Sequence, residues 1–501
     1  MPTDRHPDQQ PLVSTQSNSE PPPSSPGRIS KVPTGLGAEP LNIVILGASY
    51  AGLAVAHAFL DNTINHLRIT KAAPTYRLII ISPSTHMYWN IGAPRAIVGP
   101  DLIADEDLFV PIEPAFHRHR AHNLSIIQGE CVAMDSSART VTVEAIGSTA
   151  AKRASQVNKR RSQMRQSVTS MTQNQEQQVK EPKVQTLAYH ALIMATGSSA
   201  HSDLLSLHGP HLNTLGALNA FHARVVGAKS IVVCGGGCSG VETAGQLATY
   251  LNYSSHWPFR KRVKQPKKVI LITGSNRCLS SSSLRPARAK PEVKAEKILR
   301  KLGVEVKHDV RVVAAKEGFD LTGQTKIELS DDTSLIADLH IPCTGVSPNT
   351  AYASSTLRDK HGYIVTTPTL RVDDACGPRI YAIGDCANYS RNSIEDVYAA
   401  VPVLMRNLLN DLLAHEYMLA SPYGGNRDRI EELQDVVYKG KQDESLRLLP
   451  ISRFGGVGVW RGRDVPGRVV HLLKGRDFCA SKARRVVGEG VGPYPVKTAP
   501  R

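Results

Sequence analysis

The sequence predicts an α/β protein: two Rossmann-like dinucleotide-binding domains followed by a short C-terminal α+β segment. Two observations carry the prediction. An apolar β-run, LNIVIL (41–46), opens into the glycine turn GASYAG (47–52) and then into LAVAHAFL (53–60), which has helical character. The same order returns roughly 190 residues later, where SIVVC (230–234) runs into GGGCSG (235–240) and a helix over 241–251. One strand–turn–helix unit of this kind holds one dinucleotide, so two units imply two.

The elements follow in chain order. Residues 1–40 are rich in Pro and Ser, with PPPSSP at 21–26, and read as a disordered tail. After the first glycine turn, the apolar run Arg77–Ile81 completes a β-turn-α-β order. Thr140–Ala145 and Leu187–Met194 read as strands. Between them, 145–185 is a Gln/Ser/Lys/Arg tract without apolar periodicity, a disordered basic insertion. Its KRASQVNKRR (152–161) has the spacing of a bipartite nuclear-localisation signal, but the composition favours a solvated loop. Beyond the second glycine turn come a basic loop (259–268) and a strand, Val269–Thr273. LIMATGSS (192–199) is a strand ending in Ala195, Thr196 and Gly197, and IYAIGDCANY (380–389) is a strand ending in Gly384 and Asp385.

Charge and cysteine content set limits. Lys plus Arg number 60 against 44 acidic residues, a net of +16. Residues 145–185 hold eight basic and two acidic side chains, and 258–300 hold thirteen and two, so these segments account for the whole excess. A general polyanion-binding surface is therefore disfavoured, and nucleic acid is not an expected partner. The eight cysteines form no CxxC pair, which suits a reducing compartment. No run of about 18 uncharged apolar residues occurs. The N-terminal stretch has neither a secretory nor a transit pattern, and Pro2 excludes myristoylation, so the default location is cytoplasmic.

The glycine turns have a physical rationale. The first glycine lets the chain turn out of the strand, the second lets a pyrophosphate approach the backbone, and the third lets helix pack on strand. Gly235, Gly237 and Gly240 have the full spacing. Gly47 and Gly52 frame the other turn, with Ser49 in the middle position as a departure. Neither unit ends its second strand in the acid that binds ribose hydroxyls: Ser82 stands at the first, and Thr273, Gly274 and Ser275 at the second. NADPH is therefore admissible at the second site, with Arg277, Arg285 or Arg288 as phosphate partners or as solvated loop residues, and NADH against NADPH stays open. His117, His119 and His122 lack accompanying Cys or carboxylate spacing and read as an exposed basic segment, so no metal is expected. Cys234 reads as a buried strand residue. Cys131 stands alone in the first domain, which argues against dithiol chemistry.

GASYAG, LIMATGSS, GGGCSGVE (235–242), PCTGVSPN (342–349) and IYAIGDCANY fall in the order of the two-dinucleotide-binding flavoproteins. The chain resembles the apoptosis-inducing-factor-like branch, most closely the ferroptosis-suppressor type of NAD(P)H:quinone oxidoreductase, with type II NADH dehydrogenases more distant. SRFGGVGVW through GRVVHLLKGRDF (452–478) is the stretch specific to this branch, and the similarity covers about 41–144 and 186–485. The resemblance implies an FAD domain in two parts (41–204 and 336–420), an inserted NAD(P)H domain (205–335) and a C-terminal segment (421–501).

It also implies site residues. Gly47, Ser49, Ala51 and Gly52 would hold the FAD pyrophosphate, Arg95 would sit near the flavin, and Val132 would flank the adenine. Ala195, Thr196 and Gly197 belong to the cofactor-binding set, and Gly384 would place Asp385 against the ribityl chain. Gly235, Gly237 and Gly240 would hold NADH or NADPH. Glu242 would lie beside the nicotinamide, and Lys474 would reach the flavin and couple to Glu242. Each side chain also has a plainer reading. Glu242 complements a helix dipole, Asp385 caps a helix, Lys474 is a solvent-facing strand lysine, and Arg95 is a surface arginine.

The activity implied is transfer of electrons from NAD(P)H through flavin to a quinone or another small acceptor. Two other functions stay open: a tailoring oxidoreductase acting on a specific aromatic metabolite, and a nucleotide-binding regulator with vestigial catalysis. The apolar stretch 448–478 would line an acceptor tunnel, touch a membrane surface, or pack the core of a small C-terminal subdomain. Oligomeric state is left open.

Overall fold

The computed structural model describes residues 39–146, 183–254, 261–280, 291–318, 323–440 and 447–494. The predicted tail, most of the basic insertion, and Arg285 and Arg288 lie outside the described residues.

Strand β1 (Leu41–Leu46), helix α1 (Tyr50–Asp61) and strand β2 (Tyr76–Ser82) form the first unit. Strands β3 (Leu124–Asp135), β4 (Thr140–Ala145), β5 (Val184–Ala188) and β6 (Ala191–Met194) follow. The second unit is β7 (Ser230–Cys234), α2 (Cys238–Leu251), β8 (Lys268–Ile272), α3 (Pro291–Lys301), β9 (Glu305–Lys307) and β10 (Leu339–Pro342). Strand β11 (Ile380–Ala382) and the long helix α4 (Ile394–Ala420) lead to the C-terminal part. There β12 (Arg447–Ser452), β13 (Gly455–Trp460) and β14 (Arg463–Val465) form an antiparallel sheet, and α5 (Ala483–Glu489) comes last.

A seven-stranded sheet has the order β11–β6–β1–β2–β3–β4–β5, with parallel pairing from β11 to β3 and antiparallel pairing beyond. A four-stranded, fully parallel sheet has the order β9–β8–β7–β10. The fold is α/β with Rossmann-like units, as expected. The apolar run of β1 is explained by burial on both faces. Ile43 and Ile45 join the core that holds Leu53 and Phe59 of α1, whereas Val44 and Leu46 pack with Leu192, Met194 and Ile380.

Two local expectations are corrected. Leu187–Met194 is not one strand. The chain leaves the exposed edge strand β5 at Tyr189–His190 and re-enters the sheet centre as β6, between β1 and β11. Tyr189 N–H donates to the Arg139 carbonyl and His190 N–H to that of Asn42, so the crossing peptides keep their hydrogen bonds. Both glycine-turn helices also start three residues earlier than their apolar patterns. Gly52 and Gly240 lie inside the first turn, pressed onto the strand end. A Cβ on Gly52 would stand 1.9 Å from the Gly47 oxygen, and one on Gly240 would stand 1.8 Å from the Gly235 oxygen.

Candidate functional site

The two turns are built alike. Gly47 has φ +102° and Gly235 φ +124°, and a Cβ on either would fall within 2.3 Å of the carbonyl oxygen of Ala195 or Cys343 respectively. Only glycine fits there. Gly237 is the opposite case, with nothing within 4 Å of where its Cβ would be. It caps α2 in extended conformation and offers no side-chain bond, so the first-turn N–H groups face open space. Ser49 caps α1 in the same way, is exposed, and makes no capping bond either. Each turn thus leaves its first helical turn without a side-chain cap, which fits a pyrophosphate.

Asp385 follows Gly384, whose φ of +81° swings the chain against α1, 3.1 Å from the Ala51 Cβ for an added methyl. Its carboxylate accepts from the Ser390 and Ser198 hydroxyls at 3.3 and 3.5 Å. Burial pushes its pKa up to about 6, and the two serines restrain the rise. These long bonds leave acceptor capacity, which fits cofactor hydroxyls. Asp385 is not a helix cap: the chain turns at Gly384–Ala387, and α4 begins only at Ile394 with Ser393 as its cap. Ala195, Thr196 and Gly197 end β6 where the two chain halves meet. Thr196 Oγ1 donates to the Asn349 carbonyl at 2.7 Å, and Asn349 N–H donates to that of Gly197 at 2.9 Å. Val132 is 45% exposed and lies at the register shift between Cys131 and Ala133, an unpaired bulge residue turned to solvent.

Glu242 and Lys474 meet. Lys474 Nζ donates to Glu242 Oε1 at 2.8 Å and to the Leu448 carbonyl at 3.2 Å, and the two side chains are 13% and 7% exposed. Burial pushes the Glu242 carboxyl above its usual range, while Lys474 and Arg95 pull it back. Lys474 is therefore not a solvent-facing strand lysine. It sits on a π-helical turn, His471–Gly475, whose wider geometry turns its side chain toward α2.

Arg95 is not a surface residue. It is 3% exposed, and its guanidinium donates to Gln246 Oε1 (3.1 Å), the Arg476 carbonyl (2.7 Å) and the Gly475 carbonyl (2.8 Å). Its plane lies 4.7 Å from the Phe478 ring centroid. Arg95 thus ties the segment carrying Lys474 to the helix carrying Glu242. Trp89 reinforces the tie, since its Nε1–H donates to the Phe478 carbonyl at 2.9 Å. Phe478 and Cys479 both have positive φ, 53° and 57°, a strained pair held by this packing.

Gln246, Trp89, Phe478 and Tyr50, whose ring lies 5.7 Å from that of Trp89, were not anticipated. Only Gln246 carried a signal, because it lies one helical turn after Glu242.

Other expectations meet the structure unevenly. Ser82 is buried and donates to the Ser84 carbonyl at 2.9 Å, and Thr273 is buried, so neither strand ends in an acid. Arg277 approaches Glu292 only to 3.9 Å, and Arg311 covers Gly274. Cys234 is a buried strand residue, and all eight cysteines are free. The exposed-segment reading fails for His119, which is buried because its ring packs against His57 beneath Phe116. In the C-terminal stretch Val457, Val459 and Val470 join the core, but Trp460, Val469, Leu472 and Leu473 are exposed. No helix among the described residues is long and apolar enough to cross a membrane.

Two glycine turns, each between a parallel strand and a helix on its own sheet, define a protein of the two-dinucleotide class, and a buried ion pair links the second turn's helix to the C-terminal segment. The chain belongs to the pyridine nucleotide-disulphide oxidoreductase family, whose profile matches residues 41–402, and its cofactors are FAD and NAD(P)H. It is 33% identical over 444 residues to Oxidoreductase phnG of Penicillium herquei, covering 87% of this chain and 93% of that one. It is 24% identical over 320 residues to ferroptosis suppressor protein 1 of Taeniopygia guttata, covering 60% and 73%. Among solved structures, NDH2 of Plasmodium falciparum in complex with NADH has the same fold, with TM-score 0.58 at 14% identity over 90% of this chain and 97% of that one.

Proposed function

We propose that the protein passes electrons from NAD(P)H through its flavin to a quinone-like acceptor, within the domain division 41–204, 205–335, 336–420 and 421–501. The observation that carries this reading is the buried Glu242–Lys474 pair, which links the helix of the donor turn to the C-terminal segment. FAD, when bound, supplies hydride acceptance from the nicotinamide and electron release to the acceptor. The chain's own residues supply placement. Gly47, Ser49, Ala51 and Gly52 seat one pyrophosphate on α1, and Gly235, Gly237 and Gly240 seat the other on α2. Asp385 accepts hydroxyls, Val132 borders the adenine, and Thr196 with its neighbours holds the junction. Glu242 and Lys474 set the local charge where the two cofactors approach, and Arg95 acts through them as a positioning residue.

Thr273 stands where an acid would repel a 2′-phosphate, which supports NADPH as donor. The chain has no CxxC, so electrons leave the flavin directly for a small oxidant. The exposed Trp460, Leu472 and Leu473, in the C-terminal segment that also carries Lys474, support an apolar acceptor delivered from solution or from a membrane surface.

A second reading is an oxidoreductase acting on a specific aromatic metabolite; the likeness to Oxidoreductase phnG supports the oxidoreductase common to both readings. Anaerobic titration of the flavoprotein with NADPH and with NADH, followed by a short-chain quinone, tests both. Bleaching by nucleotide and recovery by quinone supports the first reading. Bleaching with recovery only by an aromatic carbonyl compound supports the second, and no bleaching at all supports a nucleotide-binding regulator.

A further inference from the structure

Away from the dinucleotide turns, three side chains converge at the far end of α1. His57 and Asp61 are four residues apart on one face of the helix, and His119 ends a short 3-10 turn, Glu113–His119, packed against it. We propose that His57, Asp61 and His119 form a binding site for one divalent transition metal of the zinc class.

The hydrogen bonds fix which nitrogens are available. His57 Nε2 lies 2.8 Å from the Val487 carbonyl, which can only accept, so Nε2 carries the proton and Nδ1 is bare. His119 Nε2 lies 2.9 Å from Arg118 Nε, which can only donate, so this nitrogen is bare too. The two lone pairs face each other at 3.3 Å, an arrangement that requires a positive group beside them. An Asp61 oxygen lies 3.6 Å from His119 Nε2, and the three donor atoms all fall within 4.8 Å of one another. A tetrahedral site with bonds of about 2.0 Å has edges of about 3.3 Å, so the pair of nitrogens already stands at the spacing zinc needs.

The surroundings are those of a metal-ligating histidine. His57 donates its other N–H to a main-chain carbonyl and is stacked on Phe116 at 4.5 Å, which fixes both tautomer and ring plane. His57 is 1% exposed, whereas Asp61 is 40% exposed, so the site is anchored on its inner side and open to an entering ion on the other.

The positive group now present is the Arg118 guanidinium. It lies 3.1 Å from His57 Nδ1, 2.9 Å from His119 Nε2 and 2.7 Å from an Asp61 oxygen. Its side chain is 42% exposed and can leave toward solvent. A divalent ion replaces it with twice the charge and takes all three lone pairs, with water in the fourth position. Bound there, the ion clasps α1, the 113–119 turn and, through Val487, helix α5.

The test uses the untagged, full-length flavoprotein stripped with a chelator and titrated with Co2+. The expected result is the visible bands of tetrahedral Co2+, saturating at one equivalent and displaced by Zn2+. Asp61→Asn, on the surface, weakens binding at least tenfold, His119→Gln abolishes it, and Arg118→Ala tightens it, all with unchanged flavin content. If His119→Gln loses flavin, Asp61→Asn alone decides. No bands in the natural chain overturns the proposal, including when Arg118→Ala binds Co2+, since Arg118 is then a permanent occupant. Bands that persist unchanged in Asp61→Asn also overturn it, because the ion then sits elsewhere.

Discussion

Asp385→Asn separates the cost of a buried carboxylate from its use. In the flavin-free chain the Asp385 pKa is raised from 3.8 to about 6, chiefly by burial. A raised folded-state pKa gives stability that is full below about pH 4 and is lost as pH rises through about 6. Two units correspond to about 3 kcal/mol. Asparagine does not titrate, so other groups cancel when the two proteins are compared. Urea unfolding of both apoproteins between pH 4 and 7.5 should show the natural chain losing about 3 kcal/mol relative to Asp385→Asn across that window. The same variant should bind FAD roughly tenfold to a hundredfold more weakly, since a charged acceptor for hydroxyls contributes about 1.5–3 kcal/mol. Parallel pH profiles would refute the electrostatic argument, and undiminished flavin retention would refute the cofactor role.

Lys474→Met leaves Glu242 buried without its cation and should cost about 3–5 kcal/mol in chemical denaturation, with part recovered in the Glu242→Gln/Lys474→Met double variant. Gly237→Val should leave the melting temperature nearly unchanged while raising the KM for nucleotide, because its Cβ meets no protein atom; Gly240→Val should fail to fold stably, because its Cβ meets the Gly235 carbonyl. Thr273→Glu should shift the ratio of kcat/KM for NADPH over NADH toward NADH by about tenfold or more in steady-state assays, as a carboxylate comes to face the 2′-phosphate. Arg95→Met should lower stability and slow flavin reduction in stopped-flow, with Arg95→Lys restoring little, because a single ammonium cannot reach the Gly475 and Arg476 carbonyls and Gln246 together.

The strands under the two glycine turns were legible because burial on both faces leaves continuous apolar runs, as in Ile43–Leu46 and Ile231–Cys234. Helix starts were less legible, since the turn glycines inside the first helical turn carry no apolar period. The break at Tyr189–His190 was hidden for a related reason: an edge strand and a central strand adjoin without a turn residue between them. The pairing of Glu242 with Lys474 spans 232 residues, and spacing contains no trace of it; it entered through family resemblance alone. His119 was misjudged because basic types are usually exposed, and the plainer surface reading of Arg95 fails for the same reason. Here main-chain carbonyls and neighbouring rings supply the partners that permit burial.

The nesting of the two sheets bears on the order in which the chain matures during synthesis. All four strands of the smaller sheet come from one continuous stretch, 230–342, so it can close as soon as that stretch leaves the ribosome. The larger sheet starts at Leu41 but must keep a place open beside β6 for β11, which arrives only at Ile380–Ala382. The outer edge of β6 therefore waits unpaired while the whole inner unit is being made. At roughly 5–20 residues per second this interval lasts about ten seconds or more, long enough for the exposed edge to need a chaperone's cover.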